Sequence, residues 1–317
     1  MTDRDLDRDL VYVAGHRGLA GSAIARAVEA DGREWVGQTH AELDLLDRDA
    51  VADYLAETKP GTVVVAAAKV GGIAANSTYP VEFLTENLQI QSNLIDAAHA
   101  VDVPRLLFLG SSCIYPKFAP QPIHEDSLLT GPLEPTNDAY AIAKIAGIRL
   151  VDAYRSQYGR RWISAMPTNL YGPGDNFDLE TSHVLPALMH RFHDAKVGGD
   201  PTVTVWGTGT PLREFLHVDD LASAVLHLLD EYDEPGPINI GYGEDLPIKE
   251  LATLVAETVG FEGEIVWDSK RPDGTPRKIL DSSRIRSLGW EPRVHLREGL
   301  ASTYAWFLEN RASGSGA

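Results

Sequence analysis

The chain has 317 residues, 44% of them apolar, enough to bury a sizeable core in one or two domains. Its 46 acidic residues against 28 basic ones give a net charge of −18, which excludes nucleic acid as a partner, because that would need clustered Lys and Arg. No run of about 18 apolar residues is present to cross a membrane, and a single cysteine excludes an internal disulfide framework and fits a reducing cytoplasm. An acidic shell of this size repels itself until salt screens it, so a salt-rich cytoplasm is the expected setting.

After a polar, flexible leader (1–9), LVYVAG (10–15) reads as an apolar strand closed by glycine, and GSAIARAVEADG (21–32) as a helix. EWVGQ (34–38) is a second strand, RDAVADYLAET (48–58) a helix and GTVVVAAA (61–68) a third strand. A long helix follows over 80–100, then a fourth strand in VPRLLFLGSS, a helix over 138–158, and a fifth strand in RWISAMPTN. Strands that are apolar throughout and alternate with helices indicate a parallel sheet covered on both faces, hence a doubly wound, Rossmann-type α/β fold. Beyond about residue 170 the pattern loosens into short strands (TVTVWG, PINIGYG) and helices at 187–195, 219–230 and 247–258. This predicts a cofactor-binding domain over 10–170. A smaller, partly interleaved α/β substrate domain covers 171–310, with parts returning to the first, and RASGSGA (311–317) is a flexible tail.

Two stretches carry recognisable chemistry. GHRGLAG (15–21) leaves the first strand and opens the first helix, so Gly15, Gly18 and Gly21 permit a tight turn whose helix N-terminus suits a pyrophosphate. An NAD site would want an acid at the end of the second strand for the ribose 2′-hydroxyl; Gln38, Thr39 and His40 stand there instead. Arg17, inside the loop, is placed for a 2′-phosphate, so the cofactor expected is NADP(H), with Asp44 and Leu45 near the adenine. Tyr140 and Lys144, four residues apart, share one helix face. The ammonium, joined by an oxidised nicotinamide, would favour the phenolate, and Ser111 at the end of the fourth strand could hold a carbonyl oxygen that Tyr140 protonates.

Glycine loop, strand-end serine and Y-x-x-x-K together resemble the extended short-chain dehydrogenase/reductase family, and REFLHVDDLASAV (213–225) is similar to its nucleotide-sugar members. AAAKVGGIAANSTYP, LGSSCIYPK, EPTNDAYAIAKIAG, MPTNLYGPGDNF, SHVLPALMHRFHDA and DGTPRK resemble one branch of it over about residues 10–308. That branch both epimerises and reduces a GDP-sugar. The resemblance implies conversion of GDP-4-keto-6-deoxy-D-mannose to GDP-L-fucose with NADPH. Cys113 and His183 would then move the protons at C3 and C5, their order as base and acid left open, while Ser111 and Tyr140 stabilise the enolate. Tyr140 would protonate the C4 oxygen, supported by Lys144.

The same resemblance implies cofactor contacts from His16, Leu19, Ala20 and His40, and from Leu109, Gly110 and Ser112 at the strand end. Further contacts are implied from Pro167, Thr168, Asn169 and Leu170, and from His183. It gives Arg191, Trp206, Arg213, Asp273 and Lys278 to the GDP portion. No metal is expected. A homodimer paired through helices at about 85–100 and 138–158 is. The alternatives are another nucleotide-sugar epimerase or reductase of this family, or a non-catalytic NADP sensor on the same fold.

Overall fold

The computed structural model describes residues 10–179, 181–270 and 273–313. Its centre is a six-stranded parallel sheet: β1 (Val11–Ala14), β2 (Trp35–Val36), β3 (Thr62–Val65), β4 (Arg105–Leu109), β5 (Arg161–Pro167) and β9 (Pro237–Ile240), in the order β2-β1-β3-β4-β5-β9. The strand order reverses between β1 and β3, which opens a crevice at the carboxyl ends of those strands.

Pleating sends alternate side chains to opposite faces. Tyr12, Val63, Val65, Leu106 and Phe108 pack on one side under α2 (Arg48–Thr58), α4 (Pro80–Ala100) and α5 (Asp138–Tyr158). Val11, Val13, Val64 and Leu107 pack on the other under α1 (Leu19–Ala30) and α7 (Val218–Glu231). Val63, Val64 and Val65 are each 0% exposed, and each contributes about 1.5–3 kcal/mol of burial. The continuous apolar runs therefore mark strands covered on both faces.

A second, smaller layer is built on β8 (Leu212–His217), which pairs in parallel with β6 (Asn169–Tyr171) and β12 (Arg277–Lys278) and antiparallel with β10 (Asp245–Pro247). Nearby, β7 (Thr202–Trp206) pairs with β11 (Glu264–Asp268), and α6 (Val184–Gly198), α8 (Ile248–Val259) and α10 (Leu296–Ser313) enclose an aromatic-rich core. Two short helices complete the chain, α3 (Ile73–Thr78) and α9 (Ser283–Ser287).

PINIGYG forms β9, the sixth strand of the central sheet, beside β5. Other sequence expectations need correction. RWISAMPTN is not one strand, because β5 stops at Pro167 and Asn169 begins β6, which turns to pair with β8. The second strand shortens to Trp35–Val36. Residues 311–313 are not a tail but the last turn of α10. The leader at 1–9 and residues 314–317 lie outside the described residues. No helix among the described residues is long and apolar enough to cross a membrane.

Candidate active site

The sheet's reversal and the small layer enclose one cleft of about 2110 Å³. Every cofactor, catalytic and nucleotide residue expected from the sequence lines it. The glycine loop forms its floor at one end. Gly15 has φ of +84°, and a Cβ on Gly21 would overlap the Gly15 carbonyl, so the turn leading into α1 fits only glycine at both places. That tight cradle, with the Gly18–Ala20 backbone facing the cleft, fits a dinucleotide. His40 is 83% exposed and stands 3.7 Å from the Asp44 carboxylate, with Arg17 exposed nearby in the cleft wall. Glu42 faces Arg17 electrostatically, and hydrogen bonds from the Thr39 amide and hydroxyl hold its carboxyl below the usual range.

The middle of the cleft carries Ser111, Tyr140 and Lys144. α5 lies close on β4, since a Cβ on Gly147 would run into the Phe108 ring, and this brings Lys144 under the strand end. Lys144 is 3% exposed, donates from Nζ to the Leu109 carbonyl at 2.8 Å, and lies 5.9 Å from the Tyr140 ring centroid. Burial lowers it to about 8, with Cys113 opposing. Burial pushes the Tyr140 phenol up, with Cys113 adding to the shift. Desolvation dominates at this phenol, and the Lys144 ammonium is turned toward the Leu109 carbonyl. A phenol that keeps its proton suits an acid that protonates an alkoxide.

Cys113 sits in a short 3₁₀ turn, Ser112–Ile114, capped when the Ser111 hydroxyl accepts the Cys113 amide at 3.4 Å. The thiol is 7% exposed. Burial raises it, opposed by Lys278, by the Ser111 hydrogen bond and by Lys144. His183 occupies the N-cap position of α6, yet its side chain makes no capping hydrogen bond, which frees the imidazole for the cleft. Its surroundings lower it, burial first and then Lys278. His183 is exposed, though only into a deep cleft, so accessibility and desolvation coexist. Lys278 interacts with both groups, and burial lowers its own amine, with Cys113 opposing.

At the far end Arg191 lies 5.5 Å over the Trp206 ring, and Trp206 is 54% exposed, so it belongs to the cleft wall rather than to a core. Lys278 pairs in register with Arg213 across β12 and β8. Asp273 accepts from the Thr208 amide and hydroxyl at 2.7 and 2.9 Å, and Asn169 donates to the Glu214 carbonyl at 2.7 Å; both bonds shape the wall. Sequence reasoning passed over Lys69, Glu134, Asn137 and Asp175, which also line the cleft. Asn137 had a usable signal, standing at the N-cap of α5 three residues before Tyr140. Asp175 had none beyond its place in MPTNLYGPGDNF.

Comparison with known proteins agrees with this geometry. The profile of the NAD dependent epimerase/dehydratase family matches residues 11–241. The chain belongs to that family. Within it, the chain is 62% identical over 302 residues to a probable GDP-L-fucose synthase 1 of Oryza sativa subsp. japonica, covering 95% of this chain and 92% of that one. It is 54% identical over 316 residues to the GDP-L-fucose synthase of Escherichia coli strain K12, covering 96% and 98%. A solved family structure, a GDP-L-fucose synthetase of Naegleria fowleri bound to NADP, superposes with a TM-score of 0.88 at 29% identity, covering 96% of this chain and 95% of that chain.

Proposed function

We propose that the chain is a bifunctional enzyme that epimerises GDP-4-keto-6-deoxy-D-mannose at C3 and C5 and reduces it at C4, giving GDP-L-fucose. One observation carries the reading: the glycine cradle, the Ser111–Tyr140–Lys144 group, Cys113 with His183, and the Arg191, Arg213 and Lys278 cations share one continuous cleft. NADP(H) is the cofactor, held by the Gly15–Gly21 loop with Arg17 and His40 toward the 2′-phosphate and Lys144 toward the nicotinamide ribose. The reduced nicotinamide supplies the hydride.

The C4 carbonyl of the sugar acidifies the hydrogens on C3 and C5. Cys113 and His183, on opposite sides of the ring, remove a proton from each carbon and return one to the other face. Ser111 and Tyr140 donate hydrogen bonds to the C4 oxygen while it carries the enolate charge. As hydride reaches C4, Tyr140 gives its proton to the same oxygen, and the buried Lys144 stabilises the phenolate left behind. One polarised carbonyl therefore serves both reactions. Arginine and lysine at the far end suit a diphosphate, and Trp206 with Arg191 suits a purine face.

Two further points belong to this reading. The parallel length of α4 and α5, with Val81, Ile142 and Tyr158 67%, 49% and 52% exposed on them, favours a homodimer closed by a four-helix contact. A lone reduced thiol that the chemistry needs favours the cytoplasm. The decisive assay supplies the keto-sugar and NADPH in deuterated water. Deuterium at C3 and C5 with oxidation of one NADPH per sugar is expected. Reduction without deuterium would make the protein a simple C4 reductase, and no turnover at all would leave a cofactor-sensing role.

A further inference from the structure

The segment between β3 and α4, AAAKVGGIAANSTYP, supported the resemblance without receiving any role. Its turn at Gly71–Gly72 lies against both catalytic arms. On one side the Gly72 amide donates to the Thr181 carbonyl at 2.9 Å, two residues before His183. The approach is too close for any side chain, because a Cβ on Gly72 would lie 2.8 Å from the Ser182 carbonyl oxygen. On the other side a Cβ on Gly71 would lie 3.1 Å from the Phe83 ring, and that ring meets Tyr140 edge-on with centroids 6.3 Å apart.

The turn is itself anchored. Asn76, 7% exposed, donates from Nδ2 to the Gly71 and Gly72 carbonyls at 2.8 and 3.0 Å. The loop leading to His183 is tied down from its other flank as well. Asp178 Oδ1 accepts from the Thr181 amide and hydroxyl at 2.9 and 2.8 Å, and Asn176 Nδ2 donates to that hydroxyl at 2.9 Å. His183 makes no capping bond of its own, so nothing in its side chain fixes the entry to α6. Its position is set by the backbone before it.

We propose that Gly72 is a positioning residue for His183: its amide clamps the Thr181 carbonyl, and its missing side chain lets the cofactor-side turn hold the imidazole over the sugar ring. The inference rests on Cys113 and His183 being the epimerising pair. It assigns Asn76 as the anchor of the clamp. Relieving the 2.8 Å contact to an ordinary 3.4 Å would move the Ser182 carbonyl by about 0.6 Å, a sizeable part of the roughly 1 Å that can cost about a hundredfold in a positioned reaction.

The two half-reactions can be read apart. With NADP+ in place of NADPH, deuterium entry into the keto-sugar at C3 and C5 reports epimerisation alone. NADP+-dependent oxidation of GDP-L-fucose at C4 reports hydride transfer, in which His183 moves no proton. In Gly72→Ala, exchange should fall roughly tenfold to a hundredfold. Oxidation at C4, the NADPH dissociation constant and the melting temperature should stay near wild type. Asn76→Ala, which keeps Gly72 but releases its anchor, should lower exchange by a smaller factor with the same selectivity, and serves if Gly72→Ala does not fold. Equal loss of exchange and oxidation, or exchange unchanged in both variants, overturns the clamp. Wild-type protein that oxidises GDP-L-fucose but exchanges no deuterium overturns the underlying reading instead.

Discussion

The two chemistries of the cleft stand on different kinds of scaffold. The group proposed for reduction sits on long regular elements: Tyr140 and Lys144 on the 21-residue α5, Ser111 just beyond β4 in the middle of the sheet. The groups proposed to move protons at C3 and C5 sit on short or irregular ones: Cys113 in a three-residue 3₁₀ turn and His183 at an N-cap. A deep scaffold fixes the hydride geometry through core packing, while the second set depends on local hydrogen bonds and close backbone contacts. Perturbations should therefore separate the two activities.

The sharpest separation is expected from Cys113→Ser. Deuterium entry at C3 and C5 should fall by roughly a thousandfold, within the range for loss of a positioned acid–base group. NADP+-dependent oxidation of GDP-L-fucose should persist, because the serine leaves the cap from Ser111 and the strand end unchanged. Loss of both would mean that the thiol supports the whole site rather than one step.

Tyr140→Phe tests the other scaffold. The ring keeps its contact with Phe83, so the fold should hold, and hydride transfer in either direction should drop about a hundredfold. Exchange should drop by less, since Ser111 still polarises the carbonyl. Stopped-flow absorbance of NADPH beside mass spectrometry of the sugar measures both. Equal losses would mean that one phenol governs the two reactions alike and that the comparison between scaffolds is void.

Asp175 marks a weakness on the irregular side. It is 8% exposed, its Oδ1 accepts the Asn176 amide at 2.8 Å, and its Oδ2 has no partner among the described residues. Burial raises its carboxyl to about 7. Between the ordinary range near 4 and about 7, the folded chain holds a proton that the unfolded chain has released, so stability falls as pH rises through that window. Linkage over about three units caps the cost at about 4 kcal/mol, and relaxation of the loop should leave about half of it. Asp175→Asn should then raise stability above pH 7 and change it little near pH 4, as read by urea denaturation at both pH values. A constant difference across pH would remove the burial argument.

What could be read in advance follows the same division. α2, α4 and α5 begin and end where the sequence periodicity put them, at 48–58, 80–100 and 138–158, because amphipathic helices on a buried sheet declare themselves locally. That parts of the second half return to the first domain was expected, but not that β9 would be one of them, because a four-residue apolar strand carries no record of its partner β5, 73 residues earlier. The glycine loop and Y-x-x-x-K were legible because their chemistry is packed into a few consecutive residues. Cys113 and His183 were named only through resemblance, since groups that meet from separate loops leave no shared spacing. Gly72 and Asp175 were invisible for the same reason: close approach and orphaned burial exist only once the chain is folded.

The smallest effect is expected where the regular scaffold itself gives out, at the end of the two-residue β2. The region around the expected 2′-phosphate holds two cations, Arg17 and His40, and two acids, Glu42 and Asp44. His40 is 83% exposed and its Nδ1 lies 3.7 Å from the Asp44 carboxylate. A guanidinium there would be fully charged at every pH in use and would offer a planar fork to phosphate oxygens. Because the position is open to water, the gain is that of an exposed ion pair, about 0.2–1 kcal/mol, or roughly two- to fivefold in affinity. His40→Arg should tighten NADPH by that factor and leave NADH unchanged, and the gain should fade as salt shortens the screening length. A titration of both nucleotides at low and high KCl measures it. Equal tightening of NADH would mean that residue 40 meets the adenosine rather than the 2′-phosphate, and would return the cofactor preference to Arg17 alone.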